Sequence, residues 1–128
     1  MKKLITLATT LLIAASVYAG EFPDISITEL KAAIEAKKVV VIDVNGTDSW
    51  KKGHIPSAVD FGTIKDKLAS TLPQDKHALV VAYCGGPKCN AYQAAAKAAQ
   101  KLGYKNVKHL SAGISGWTAA NEKTEKGK

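Results

Sequence analysis

The chain has no arginine; all 18 of its basic residues are lysine. A lysine ammonium is a point charge and does not grip a phosphate or carboxylate through two parallel N–H bonds as a guanidinium does. The lysines are scattered (Lys37, Lys38, Lys51, Lys52, Lys65, Lys67, Lys97, Lys101, Lys105, Lys108), and aromatic residues are not interleaved with them. That pattern is a solvated basic surface rather than a nucleic-acid interface. Its net positive charge still favours small anions. Cysteine is equally scarce. Cys84 and Cys89 are the only two, so the fold has to rest on an apolar core rather than on disulfide staples. His77 and His109 lie far apart in polar surroundings and offer no metal-ligand spacing. Internal repeats and interdomain linkers are absent too, and 128 residues read as one domain.

The one long apolar run lies at the start. Met1-Lys2-Lys3 is basic, Leu4 to Val17 is apolar apart from Thr and Ser, and Val17-Tyr18-Ala19 offers small residues where a signal peptidase reads. This pattern predicts a secretory signal peptide over residues 1–19, cleaved after Ala19. The run is near the lower length limit for a membrane span, and cleavage leaves no stable membrane anchor. The remaining domain, residues 20–128, keeps 16 lysines against 11 acids, a formal charge of +5. Export makes the expected location periplasmic or secreted, an oxidising setting in which two cysteines form a disulfide by default.

Along the domain, Glu21 to Ile25 reads as a lead-in or edge strand. Ser26-Ile27-Thr28-Glu29 is a capping box that opens a helix running to about Lys37. Val39 to Val44 is a continuous β-branched run, expected of a strand buried on both faces. Asn45-Gly46-Thr47-Asp48 is a turn, with Asp48 as cap of a one-turn helix through Trp50 and Lys51. Gly53-His54-Ile55-Pro56 is a rigid loop, and Ala58 to Phe61 a short strand. Ile64 to Leu72 is predicted helical and Pro73 stops it. Leu79 to Tyr83 is the second fully apolar strand. Asn90 to Leu102 is an alanine-rich helix, followed by Gly103 at its end. Val107 to Leu110 is a further strand, and Ser111-Ala112-Gly113 turns into a last short helix carrying Ile114 and Trp117. From about residue 121 the chain is a polar tail, expected to fray. Alternating strands and helices with apolar strands predict an α/β fold: a small parallel sheet with helices on both faces. Ligands of such sheets bind beyond the C-terminal strand ends.

Cys84-Gly85-Gly86-Pro87-Lys88-Cys89 sits at such an end. The thiolate is the reactive form of cysteine. Three features here favour it at Cys84. The following helix presents its positive end. Gly85 and Gly86 let backbone N–H groups turn inward as an anion nest. Lys88 adds a full charge, while Pro87 stiffens the turn at the cost of one donor. Cys84 is the expected nucleophile, and Gly85, Gly86, Pro87, Lys88, Cys89 and Asn90 the expected substrate-binding residues.

This loop resembles the active-site loop of rhodanese-like sulfurtransferases. Val41-Ile42-Asp43-Val44 followed by Trp50-Lys51-Lys52-Gly53-His54-Ile55-Pro56-Ser57-Ala58 looks like that family's N-terminal signature. Leu110-Ser111-Ala112-Gly113-Ile114-Ser115-Gly116-Trp117 is similar to its C-terminal one. The resemblance covers nearly the whole of residues 20–128. It implies a small α/β fold in which Cys84 takes a sulfane sulfur from a small anionic donor, carries it as a persulfide and passes it to a thiophilic acceptor, which could be a protein. No cofactor or metal is implied. The family's related phosphatases use a longer loop ending in arginine, and this chain has none. Asn45 and Lys88 stand where arginine is common in the family. Asp43 is expected to accept hydrogen bonds from nearby amides or hydroxyls, His54 to hold its loop by hydrogen bonding, and Trp50 and Trp117 to pack.

Two other readings compete. Cys84 and Cys89 are close enough in sequence for a thiol–disulfide or redox-sensing pair, in which Cys89 resolves a Cys84 persulfide. The domain is otherwise a non-catalytic sulfur carrier or binding module, a reading motivated by the missing arginine.

Overall fold

The computed structural model describes residues 22–128. The expected signal peptide lies outside the described residues. The elements are α1 (Ile27–Glu35), β1 (Val39–Asp43), α2 (Thr47–Lys52), β2 (Val59–Asp60), α3 (Phe61–Ile64), a 3-10 turn (Lys65–Lys67), α4 (Leu68–Thr71), β3 (Leu79–Tyr83), α5 (Tyr92–Lys101), β4 (Asn106–His109) and α6 (Gly113–Ala119). The four strands form one parallel sheet in the order β2-β1-β3-β4. The two apolar runs of the sequence are the inner strands, as burial on both faces requires.

Side-chain alternation along β3 divides the core in two. Val80, Ala82 and Cys84 face α3, α4 and α5, where Ile64, Leu68, Leu72, Ala95, Ala96 and Ala99 are buried with them. Val81 and Tyr83 face the other way, onto Leu30 of α1, Ile55, Leu110 and Trp117 of α6. Helices therefore cover both faces, as the sequence implies. Ala95, Ala96 and Ala99 of α5 are fully buried, and their small side chains let this helix lie close to the sheet. The Ser26 hydroxyl caps α1 by accepting the Glu29 N–H at 3.1 Å.

Several boundaries differ from the sequence expectation. α5 opens at Tyr92 rather than Asn90, because Cys89 N–H closes a turn on Gly86 O at 3.1 Å and the helix starts through short-range bonds from Gln93 to Asn90 and Ala94 to Ala91. The predicted 64–72 helix is two α-helical turns joined by a 3-10 turn. It begins earlier, at Phe61, because the Asp60 carboxylate accepts the Gly62 N–H and so acts as cap. Gly46, not Asp48, occupies the cap position of α2. The lead-in is reduced to a bridge between Asp24 and His109, with Ile25 N–H and His109 N–H each bonded across it at 2.9 Å.

The C-terminal tail is not frayed. Glu125 and His54 exchange both backbone hydrogen bonds at 2.9 Å, and Gly127 N–H donates to Lys51 O at 3.0 Å. The indole N–H of buried Trp117 donates to Lys123 O at 2.7 Å. Polar composition concealed a segment held mainly by its backbone.

Candidate functional site

Cys84 follows the last residue of β3 and is 1 % exposed. Its carbonyl accepts from Ile114 N–H at 3.0 Å, and the Gly85 carbonyl accepts from Ser115 N–H at 3.0 Å. The first amides of a helix have no partner within it; those of α6 find theirs in the loop. Because a trans peptide sets its N–H opposite its C=O, the amides of Gly85 and Gly86 point away from α6. Among the described residues no backbone carbonyl pairs with the N–H of Gly85, Gly86 or Lys88. These are the donors the sequence assigned to an anion nest. Pro87, Lys88 and Asn90 are exposed at the rim, while Gly85, Gly86 and Cys89 are half-buried. The Asn45 side chain comes up beside Gly85, its oxygen 3.9 Å from where a Cβ there would stand.

Gly113 fixes this docking. Its φ is +61°, and a Cβ on it would lie 2.5 Å from the Gly85 carbonyl carbon and 2.6 Å from Gly86 N. Only a glycine permits the loop and the start of α6 to approach so closely. The motif holding Gly113 is visible in the sequence, but the contact that demands a glycine is not.

Cys84 and Cys89 are joined by a disulfide, with Cα atoms 6.2 Å apart, within the usual span. In this state neither sulfur is a nucleophile.

Beneath the loop, on the opposite face from the Cys84 side chain, lies a buried polar cluster. Asp43 accepts the Asn45 N–H at 2.8 Å and the Tyr83 hydroxyl at 2.5 Å. Tyr83 Oη in turn accepts the Ile55 N–H at 3.0 Å. Burial raises the Asp43 carboxyl above its ordinary range, and the bonds from Tyr83 and Asn45 oppose that rise. Burial, reinforced by the Asp43 contact, pushes the Tyr83 hydroxyl far above its ordinary range, so it stays a donor. Buried His54 lies with Nδ1 2.8 Å from Trp50 O and its ring stacked on the Trp50 indole, centroids 4.3 Å apart. Trp50 Nε1 donates to Ala58 O at 2.9 Å. Asp43 and His54 thus set the strand ends and the 53–58 loop under the site.

Three residues carry more than the sequence reading gave them. Tyr83 reads there only as an apolar strand residue, and its hydroxyl is the partner of Asp43. Asp60, read as a strand residue, is a buried acceptor for the hydroxyls of Thr47 at 2.6 Å and Thr63 at 2.9 Å. His109 is not in polar surroundings. It is 8 % exposed and stacked on Tyr92, centroids 3.4 Å apart and planes within 3°. Its Nε2 is buried without a hydrogen-bond partner, and burial lowers its pKa. The signal for His109 was its place in an alternating strand, beside Val107 on the same face.

An open cleft of about 300 Å³ runs beside the loop, lined in part by Phe22, Asp24, Cys89, Asn90, Tyr92 and His109. A second, of about 430 Å³, lies between α1 and α6 on the other face and contains neither cysteine. Among the described residues no group of three or more His, Cys, Asp and Glu is arranged to hold a metal ion.

A cysteine at the end of an inner parallel strand, followed by a glycine loop that is clasped to α6, defines the class: a small α/β domain with a cysteine loop at the strand end. The chain belongs to the rhodanese-like domain family, whose profile matches residues 26–120. The thiosulfate sulfurtransferase GlpE of Shewanella oneidensis is 32% identical over 105 residues, covering 80% of this chain and 98% of that protein. The HTH-type transcriptional regulator Rv0324 of Mycobacterium tuberculosis is 32% identical over 123 residues, 94% of this chain. The chain spans only 53% of that regulator. Among solved structures, the BH2092 protein of Bacillus halodurans superposes with a TM-score of 0.65 at 28% identity, covering 81% of this chain and 77% of that one. The human single-domain sulfurtransferase TSTD1 shares the fold with a TM-score of 0.61 at 20% identity, covering 76% and 96%.

Proposed function

We propose that the domain is a sulfurtransferase whose nucleophile is Cys84 in its reduced form. The thiolate attacks the sulfane sulfur of thiosulfate or a polysulfide. With thiosulfate, the S–S bond of the donor breaks, sulfite leaves with the bonding electron pair, and Cys84 holds the sulfur as a persulfide. A thiophilic acceptor, small or protein-borne, then takes that sulfur and returns Cys84 to the thiolate. The Gly85 and Gly86 amides and the Lys88 ammonium receive the donor's negative charge, Pro87 and Asn90 shape the rim, and Asp43 and His54 hold the floor. The observation that carries this reading is the pairing of the Cys84 and Gly85 carbonyls with α6, which leaves the loop amides turned away from that helix. The name of the Shewanella oneidensis relative supports thiosulfate as donor. Lys88 offers charge without a guanidinium fork, so the donor is held mainly by backbone amides.

The test is thiocyanate formation from thiosulfate and cyanide by freshly reduced protein. Cys84→Ser is expected to lose on the order of a thousandfold or more, as removal of a nucleophile does; equal rates in the two proteins contradict the proposal. We propose an extracytoplasmic setting from the N-terminal pattern. Finding the full-length chain uncleaved in the cytoplasmic fraction would contradict it.

A further inference from the structure

We infer that Cys89 resolves the Cys84 persulfide so that the sulfur leaves as sulfide, and that a thiol entering the cleft beside Cys89 reopens the resulting disulfide. This rests on the persulfide reading above and extends it to a further activity, reduction of sulfane sulfur. Two observations carry it. The Cys84–Cys89 bond forms within a folded loop whose Cys89–Gly86 turn and α6 clasp are intact. Cys89 therefore reaches Cys84 without unfolding of the site. The two sulfurs also differ in access. Cys84 is 1 % exposed; Cys89 is half-buried and lines the cleft with Phe22, Asp24, Tyr92 and His109, and Cys84 does not line it.

The steps balance. The Cys89 thiolate attacks Cys84 Sγ, the persulfide S–S bond breaks, and hydrosulfide leaves with the electron pair. The Cys pair is oxidised by two electrons, and the departing sulfur is reduced by two. An external thiolate, from a low-molecular-weight thiol or a protein dithiol, then attacks Cys89 Sγ. Cys84 departs as the thiolate, beside the Gly85 and Gly86 amides that can receive its charge. A second external thiolate then attacks the sulfur of the first, the mixed S–S bond breaks, and Cys89 leaves as the thiolate, giving an external disulfide and a free Cys89. In the disulfide state Cys84 is the less accessible of the two sulfurs, so the entering thiol meets Cys89 first.

The experiment uses fully reduced, desalted protein mixed with thiosulfate, and reads sulfite, sulfide, free thiols and intact mass. Sulfite reports loading; sulfide reports resolution. Wild type is expected to release the two in equal amounts, lose both thiols and keep no added sulfur. Cys89→Ser is expected to release sulfite alone and keep one sulfur. Wild type that keeps the sulfur beside a free thiol overturns the inference and leaves the sulfurtransferase reading intact. No sulfite and no added sulfur on either protein, with polysulfide failing also, removes that reading and this inference together. For the reopening step, oxidised wild type is treated with limiting glutathione or with a reduced dithiol protein of the thioredoxin type. An adduct mapped to Cys89 is expected with glutathione, and the faster arm identifies the source of the thiol. An adduct on Cys84, or a bond that neither arm opens, contradicts the assignment.

Discussion

At the scale of single residues, the buried Tyr83–Asp43 contact is the polar hinge of the structure. It ties the ends of β1 and β3 together and, through Ile55 N–H, secures the loop that holds His54. Tyr83→Phe leaves a buried carboxylate and a buried amide each short of a partner. The expected loss is about 1–3 kcal/mol of unfolding free energy, read by urea denaturation. His109 makes a second prediction, on pH. Its folded pKa lies below the ordinary 6.5 because burial disfavours the charged imidazolium, with Asp24 partly opposing. The unfolded chain therefore binds the proton more readily between that lowered value and 6.5. Stability should fall as pH drops through this window and rise to a plateau above it. His109→Phe keeps a ring against Tyr92 and should flatten that acid-side fall. Urea titrations between roughly pH 5 and 8 compare the two, and an unchanged slope would count against the assignment.

At the scale of elements, the clasp between α6 and the loop connects the C-terminal motif to the chemistry. Gly113→Ala places a methyl at a φ of +61° and within 2.6 Å of the Gly85 and Gly86 backbone. Left-handed backbone alone costs an alanine about 1 kcal/mol, and the clash has to move backbone rather than a side chain. The variant is expected to melt lower. It should also form thiocyanate up to about a hundredfold more slowly, as a shift near 1 Å in a reacting group can cause. Full activity with normal melting would show that the clasp does not position the loop. The same element shows where the sequence stops informing. Hydrophobic runs place β1 and β3, and the Ser26–Glu29 cap places α1, because those signals are local. The start of α5 and the early start of α3 are decided by the Cys89–Gly86 turn and by the Asp60 carboxylate, short-range polar contacts that hydrophobic periodicity does not show.

At the scale of the whole molecule, the parallel sheet, its two covered faces and the loop at a strand end were all legible, since each follows from alternation and from glycine and cysteine placement. The disulfide and the seating of His109 were not fixed by pattern, because both depend on how the strand-to-helix loop closes against β4 and α5. The tail was misread for a physical reason. Its lysines and glutamates look solvated, and their side chains largely are, yet its backbone carbonyls and amides pair with His54, Lys51 and Trp117. Deleting residues 123–128 removes those bonds and leaves the buried indole N–H unpaired. A loss of about 3 kcal/mol or more is expected, seen as a lower melting temperature, whereas neutralising the exposed Lys31–Glu122 pair at 3.0 Å should leave the melting temperature nearly unchanged. In the proposed reaction it is Cys84 that carries the sulfur, and tandem mass spectrometry of reduced Cys89→Ser protein after exposure to thiosulfate reads this at the residue itself. One added sulfur carried on Cys84, and none on the Cys84→Ser protein treated alike, is the predicted result. An unchanged mass, or equal uptake when Cys84 is absent, would contradict it.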